Sequence, residues 1–362
     1  MRGFVALLLL GGVFCVQAQG NFTESETQAI LRHGPWPPPA KADPSNRLSG
    51  KADAIAFGRR LFFEPRLSGP GSVLCATCHA PGKAFQDAKP RAFGLAQVDR
   101  NTPTLFNVRF SRWFGWDGGH DSLWSQSVRP LLEAREMAAS PAHVKQIVSK
   151  LFLDDYRTVF HEEPGDAEGV LVNVGKALAA YQETLISGRT PFDEFRDALA
   201  ADDAGRSSYP VAAQRGLKVF VGKGRCASCH SGPSFTSGGF ANGVSAFTAS
   251  AGKDDGGRAE GIRKLRGDPL NLLGKYNDDR SRSTAEGTRR AEPRPNDFGE
   301  FRVPSLRNAA DTAPYMHDGG LPTLREAVRH AADGLSLTES EAADLVAFLE
   351  SLSEQPDARR QH

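Results

Sequence analysis

Two pentapeptides combine residue types that can do chemistry together: Cys75-Ala76-Thr77-Cys78-His79 and Cys226-Ala227-Ser228-Cys229-His230. In each, two thiols stand one helical turn apart and share a face, and an imidazole follows at once. Thiols so placed can add to the two vinyl groups of a haem while the histidine takes the iron. A redox dithiol or a four-cysteine zinc site does not require the adjoining histidine. The alternative is a pair of structural disulfides. Of the five cysteines, Cys15 falls in an N-terminal leader, so the two motifs use every cysteine left. Two covalent c-type haems, with His79 and His230 as proximal ligands, are the expectation.

The surroundings of the two motifs repeat. "FGRRLFFEPRLSGPGSVLCATCHAPGKAF" and "RGLKVFVGKGRCASCHSGPSF" each carry a Gly-x-x-apolar-Phe helical turn, then the cysteine pair with its histidine, then a Pro/Gly turn leading to a Phe. This reads as an internal duplication, one unit per domain. Between the units, Val170, Val174, Leu178 and Tyr181 recur at helical spacing. Thr323 with Glu326, and Thr338 with Glu341, are capping-box patterns ahead of two C-terminal helices. Alternating strand patterns are nearly absent, so the fold class is mainly α, with two cytochrome c-like domains that each hold one haem. The expected boundaries are a signal peptide over 1–18, a Pro-rich arm over 19–45 anchored by Trp36, and domains over 46–205 and 206–362. The Gly, Asp, Arg and Ser bias from about 240 to 300 predicts long loops rather than core.

The leader has one arginine, an apolar run from Phe4 to Val16 and a cleavage pattern ending at Ala18, so export to the periplasm is expected. With 362 residues, 24% charged and a net charge of +1, the chain has room for two cores and no polyanion-binding signature. Nucleic acid is excluded as a partner, and no second apolar run spans a membrane.

Two haems in an exported chain suit either an electron carrier, with both irons closed, or an enzyme, with one open iron under an acid/base group. Here "GWDGGHDSLWSQSVRPLLEAREM" and "FRVPSLRNAADTAPYMHDGG" resemble the bacterial dihaem cytochrome c peroxidase and MauG superfamily, over about residues 46 to 352. The resemblance implies that Trp116 lies between the haems and that Gln126, Glu136 and Pro130 flank the peroxide-binding iron on His79. It implies a structural Ca²⁺ held by Asn101 and by the carbonyls of Thr312 and Pro314, and a hydrogen-bonding place for His317 near a haem edge. Proton transfer within H₂O₂ needs a base above the iron, which suits Glu136, with Gln126 positioning peroxide or water.

One position departs from the family. Members close the second haem with Met or Tyr where this chain has Ala331, which cannot ligate iron. His330 next to it is a possible sixth ligand; a water-ligated or five-coordinate iron, or a loop residue such as Tyr276, are the others. Loss of the thioether favours a MauG-like mode, in which both haems share two oxidising equivalents and oxidise a partner protein. The Pro-rich arm and the stretch "RWFGWDGGHDSLWSQS" resemble the MbnH-type branch, which implies H₂O₂-dependent oxidation of a tryptophan on a secreted, copper-binding, MbnP-like partner. The alternative is a conventional peroxidase that reduces H₂O₂ with electrons from a small cytochrome or copper protein; a non-enzymatic carrier is third. Trp113 and Trp124 are expected to be packing walls, and His33, His120, His143, His161 and His362 structural or surface residues.

Overall fold

The computed structural model describes residues 22–201, 208–242 and 255–354. The expected leader over 1–18, most of the expected junction and His362 lie outside the described residues.

The first half contains α1 (Glu24–Leu31), α2 (Ala52–Phe62), α3 (Cys75–Cys78), α4 (Leu123–Leu132), α5 (Pro141–Leu151), α6 (Leu153–Phe160) and α7 (Ala167–Gln182). There follow α8 (Pro191–Ala200), α9 (Val211–Val221), α10 (Gly257–Gly267), α11 (Glu286–Arg289), α12 (Leu324–Ala331) and α13 (Glu339–Glu350). Local chemistry starts these helices. The Ser122 hydroxyl accepts from the Ser125 amide at α4, and Asp166 from Gly169 at α7. The expected capping boxes open α12 and α13. The fold is mainly helical; among the described residues the sheet is one antiparallel ladder, β1 (Phe240–Asn242) on β2 (Glu300–Arg302).

Two apolar clusters organise the chain, and the same crossing builds both. α2 packs on α7 where Gly58 lies against the backbone of Ala177; a Cβ at Gly58 would stand 2.0 Å from that carbonyl oxygen. α9 packs on α13 where Gly216 lies against Asp344, with the corresponding distance 1.9 Å. Only a residue without a Cβ lets two backbones approach so closely. Around the first crossing Phe57, Leu61, Phe62, Phe85, Val128 and Leu178 are buried; around the second, Phe220, Phe235, Phe348, Phe192 and Ile30.

The second cluster reaches back across the expected boundary. α8 belongs by sequence to the 46–205 domain, yet it buries Phe192 and Phe195 in the second core, and α1 adds Ile30 to it. The 19–45 arm therefore holds a capped helix as well as its prolines. Trp36 is 3% exposed and donates its indole N–H to the Ser187 carbonyl at 3.0 Å, while the Arg307 guanidinium covers its ring. Arg307 is in turn paired with Asp193 of α8 at 2.8 Å, a pair buried on both sides.

Among the described residues, the 240–300 region adds a helix and core packing where its composition predicts long loops rather than core. α10 buries Arg258, Ile262 and Leu265, and Leu272 and Ala285 pack with Phe114, Leu123 and Trp124 of the first half. The reason is that much of the buried surface here is polar and internally satisfied. The Asn271 amide donates to Leu265 O and that of Asn277 to Leu272 O, while Asp279 accepts from the Thr284 amide. Composition counts such residues as solvated, although hydrogen bonding has removed the cost of burying them.

Candidate functional site

Both cysteine motifs fold into short helical turns, and all four thiols are unbonded to one another, so the disulfide alternative is not what the chain adopts. Burial pushes the Cys75 thiol up to about 12 and those of Cys78 and Cys226 up to about 11. Each turn ends by bonding its histidine amide to the first cysteine's carbonyl, at 2.9 Å in both. The rings are then oriented alike. His79 Nδ1 lies 3.0 Å from the Phe85 carbonyl and His230 Nδ1 lies 3.2 Å from that of Phe235. A carbonyl only accepts, so Nδ1 carries the proton and Nε2 keeps its lone pair free for a metal. Burial holds both imidazoles below their ordinary pKa, which keeps them neutral.

The two phenylalanines that aim those carbonyls adopt left-handed backbone, φ 55° at Phe85 and 50° at Phe235, with both rings fully buried. Bulky residues rarely tolerate that region, so the packing of each ring is what holds it there. A hydroxyl supports each turn: Thr104 Oγ1 donates to Ala84 O and Ser305 Oγ to Ser234 O. The repetition continues beyond the motifs. Asn107 and Asn308 are left-handed caps; Phe114 bridges His120 as Tyr315 bridges Leu321; Ser122 caps α4 as Thr323 caps α12. In this register Trp116 corresponds to His317 and Pro130 to Ala331.

A cavity of about 880 Å³ brings most of the expected residues together. Cys75, Cys78 and His79 line it together with Trp116, Gln126, Pro130 and Glu136, and so do Asn101 and His317. α4 supplies Gln126 and, one turn on, Pro130; the turn after it supplies Glu136, whose amide bonds Glu133 O. Gln126 Oε1 is buried with no hydrogen-bond partner among the described residues, so this amide is open to a ligand. Sequence reasoning missed Arg129. Its Nη2 meets Glu136 Oε1 at 2.5 Å and fixes that carboxylate, which is 16% exposed. The motif "RPLLEARE" contained both partners, but their contact depends on how the chain turns after α4.

Thiol pairs, imidazoles with free Nε2 atoms and, on the His79 side, a cavity are what covalent haem needs, so the residues fit the group. Trp116 donates its indole N–H to Asn101 O at 2.9 Å, and the Asn101 amide donates to His317 O at 2.7 Å. The His317 ring stacks on Phe301 at 3.7 Å. Next to this junction Arg100 bridges Asp117 and Asp255, each at 2.8 Å. Burial alone would raise the Asp117 carboxyl, but Arg100 and Lys264 bring it down to about 2.

Thr312 and Pro314 flank a turn whose Ala313 carbonyl accepts from Gln86 Nε2, while Asn101 Nδ2 donates to Lys89 O. The 86–89 loop thus touches both parts of the expected calcium site. With Nδ2 so committed, the Asn101 Oδ1 and two backbone carbonyls suit a hard cation. His330 is half-buried near the end of α12, beside Ala331. Tyr276 is engaged elsewhere: its hydroxyl donates to Glu168 at 2.7 Å and its ring packs by the first half. Of the methionines, Met137 is buried in the first core and Met316 precedes His317 at the junction.

A sequence model of the family described as di-haem cytochrome c peroxidase matches residues 52–201. The chain is 31% identical to the methylamine utilization protein MauG of Methylorubrum extorquens, across 98% of this chain and 94% of that one. It is 31% identical to the cytochrome c551 peroxidase of Pseudomonas aeruginosa, across 82% of this chain and 78% of that one. Among solved structures, the crystal structure of a MauG-like protein associated with microbial copper homeostasis superimposes with a TM-score of 0.65 at 25% identity, covering 89% of this chain and 96% of that one.

Proposed function

Because the chain belongs to the di-haem cytochrome c peroxidase and MauG family, and is a peroxidase-type oxidoreductase, we propose that it is an exported enzyme that spends H₂O₂ on oxidising a tryptophan of a partner protein. In this reading Cys75, Cys78 and His79 hold one haem, and Cys226, Cys229 and His230 the other, in two cytochrome c-like domains. Asn101, Thr312 and Pro314 hold Ca²⁺ at their junction. The leader directs the chain to the periplasm; among the described residues no helix is long and apolar enough to cross a membrane.

Bound haem supplies an iron that exchanges electrons with peroxide. The chain's residues do the rest. Glu136 Oε2 takes a proton from one peroxide oxygen and returns it to the other, held in place by Arg129 on Oε1. Gln126 offers its unpartnered Oε1 to the O–H of peroxide or water, and Pro130, lacking an N–H, adds no competing donor. Trp116 conducts electrons from the second site, and His317 packs the same junction.

The observation that carries the reading is Ala331. It takes in α12 the place that Pro130 takes in α4, so this position supplies no side-chain ligand to the second iron. A thioether there suits a haem that collects electrons for H₂O₂ reduction; a methyl group suits one that stores an oxidising equivalent. The likeness to a MauG-like protein associated with copper homeostasis supports a secreted copper-binding partner.

One equivalent of H₂O₂ added to the diferric protein tests this. A long-lived state two electrons above the resting protein, discharged by oxidation of a partner tryptophan, is the expected result. Consumption of H₂O₂ only after one-electron reduction would establish instead the conventional peroxidase, fed by a small cytochrome or copper protein.

A further inference from the structure

The chain has four tryptophans, and the fold treats one of them differently. The Arg307 guanidinium lies 3.6 Å from the ring centroid of Trp36. Trp113 has Arg258 at 4.5 Å and Arg112 at 5.5 Å. Trp124 has the Lys176 ammonium at 5.4 Å. Among the described residues no such cation covers Trp116; its N–H meets a backbone carbonyl, as that of Trp36 also does.

Three of these cations are built into the interior. Arg307, Arg258 and Lys176 are 1%, 6% and 3% exposed. Arg307 is balanced by Asp193 and Lys176 by Asp278. Arg258 makes no ion pair among the described residues; it is clamped between Trp113 and Phe240 and donates to Gly118 O at 2.8 Å. Burial lowers it to about 10, so it stays charged at neutral pH.

A cation over an indole is attracted to the neutral ring and repelled by the ring once it has lost an electron. The repulsion is strongest where no carboxylate pairs directly with the cation; at Trp113, the indole nearest in sequence to Trp116, Asp297, Asp117 and Glu300 act on Arg258 without forming an ion pair among the described residues. A carbonyl accepting the N–H does the opposite, since it steadies the positive charge and the acidified proton; at Trp36 the Arg307 guanidinium works against it, and at Trp116 no covering cation does so among the described residues.

We propose that Arg258, Arg307 and Lys176 are positioning residues for oxidising equivalents: by capping Trp113, Trp36 and Trp124 they confine oxidation within the chain to Trp116. The proposal rests on the peroxide-driven reading above. H₂O₂ takes up two electrons and two protons to give two waters, and an electron drawn from an indole leaves one radical cation there. Capped indoles resist that loss, so of the two electrons one would come from Trp116 and the other from bound haem, and the outside donor would restore both.

The test is oxidation of the holoprotein without partner, by H₂O₂ in one arm and by a photosensitised one-electron oxidant in the other, with peptide mass mapping of each tryptophan. Trp116 is expected to gain oxygen first, and the capped indoles about tenfold more slowly or less. Arg258→Met should raise Trp113 oxidation about tenfold, while Arg258→Lys, which keeps the charge, should not. Equal acrylamide quenching of tryptophan fluorescence in the two variants guards against a mere packing effect. Should Arg258→Met fail to fold, Arg112→Gln at an exposed position should raise Trp113 oxidation by a smaller factor. Trp113 oxidised as fast as Trp116 in the parent, or equal protection in the Met and Lys variants, overturns the proposal. If only the photosensitised arm shows the ordering, capping stands and the peroxide reading fails.

Discussion

Trp116 and His317 hold the same place in the two repeated halves, and they meet on one residue: Asn101 accepts the Trp116 indole N–H at 2.9 Å and donates its amide to His317 O at 2.7 Å. A duplicated position has thus become an indole on one side and an imidazole on the other, joined by a two-bond relay. The junction is where the first prediction applies. Trp116→Phe should cost about 1 kcal/mol of stability, the worth of one hydrogen bond. It should slow partner oxidation while leaving the first reaction with H₂O₂ unchanged, because Glu136 and Gln126 are untouched. Stopped-flow and product assays on one preparation separate the two steps; parallel losses in both would place Trp116 in the peroxide step.

Glu136→Gln should slow the reaction with H₂O₂ by about 10²- to 10⁴-fold, the usual share of a general base. Arg129→Gln should produce a smaller loss in the same direction, partly restored by Arg129→Lys, because it frees the carboxylate without removing it. A Glu136→Gln protein as fast as its parent removes this carboxylate from the chemistry.

Ala331→Met should give the second site a thioether ligand. The absorption spectrum of the reduced protein should gain a low-spin component, and reactivity should shift towards dependence on prior reduction. His330→Ala should leave the second site's spectrum as it is; a changed spectrum would identify His330 as a ligand.

His33 links the arm to the second motif. It is 2% exposed, stacks on Phe235 at 4.5 Å, and places Nδ1 3.2 Å from Gly232 O. Burial lowers its pKa from 6.5 to about 4, with Arg32 and Arg307 nearby adding to the effect. Between those values the unfolded chain binds the proton and the folded chain does not. Stability is therefore full above about pH 6.5 and falls as the pH drops towards 4, by up to about 3 kcal/mol. Urea midpoints at several pH values should show that loss in the parent and lack it in His33→Phe.

The glycine crossings give a prediction about folding. Gly58→Ala and Gly216→Ala should each cost at least about 1 to 3 kcal/mol, since a methyl group cannot enter between the backbones without forcing the helices apart. Thermal unfolding of each variant measures it, and an unchanged midpoint would mean that the crossings have slack.

What the sequence determined by itself is the chemistry that acts over a few residues. The C-x-x-C-H spacing sets thiols and imidazole on one turn, and the capping boxes open α12 and α13 where Thr323, Glu326, Thr338 and Glu341 predict them. Period and cap are local, so they can be read before folding. Tertiary structure decided which distant groups meet. It placed α8 in the second core and folded α10 where composition predicted loops. It joined Arg129 to Glu136, and brought Arg258, Lys176 and Arg307 over indoles far away in the chain. The physical reason is one for all of these. A buried charge or amide is stable only beside a particular partner, and which partner that is depends on how whole helices pack, which no short spacing encodes.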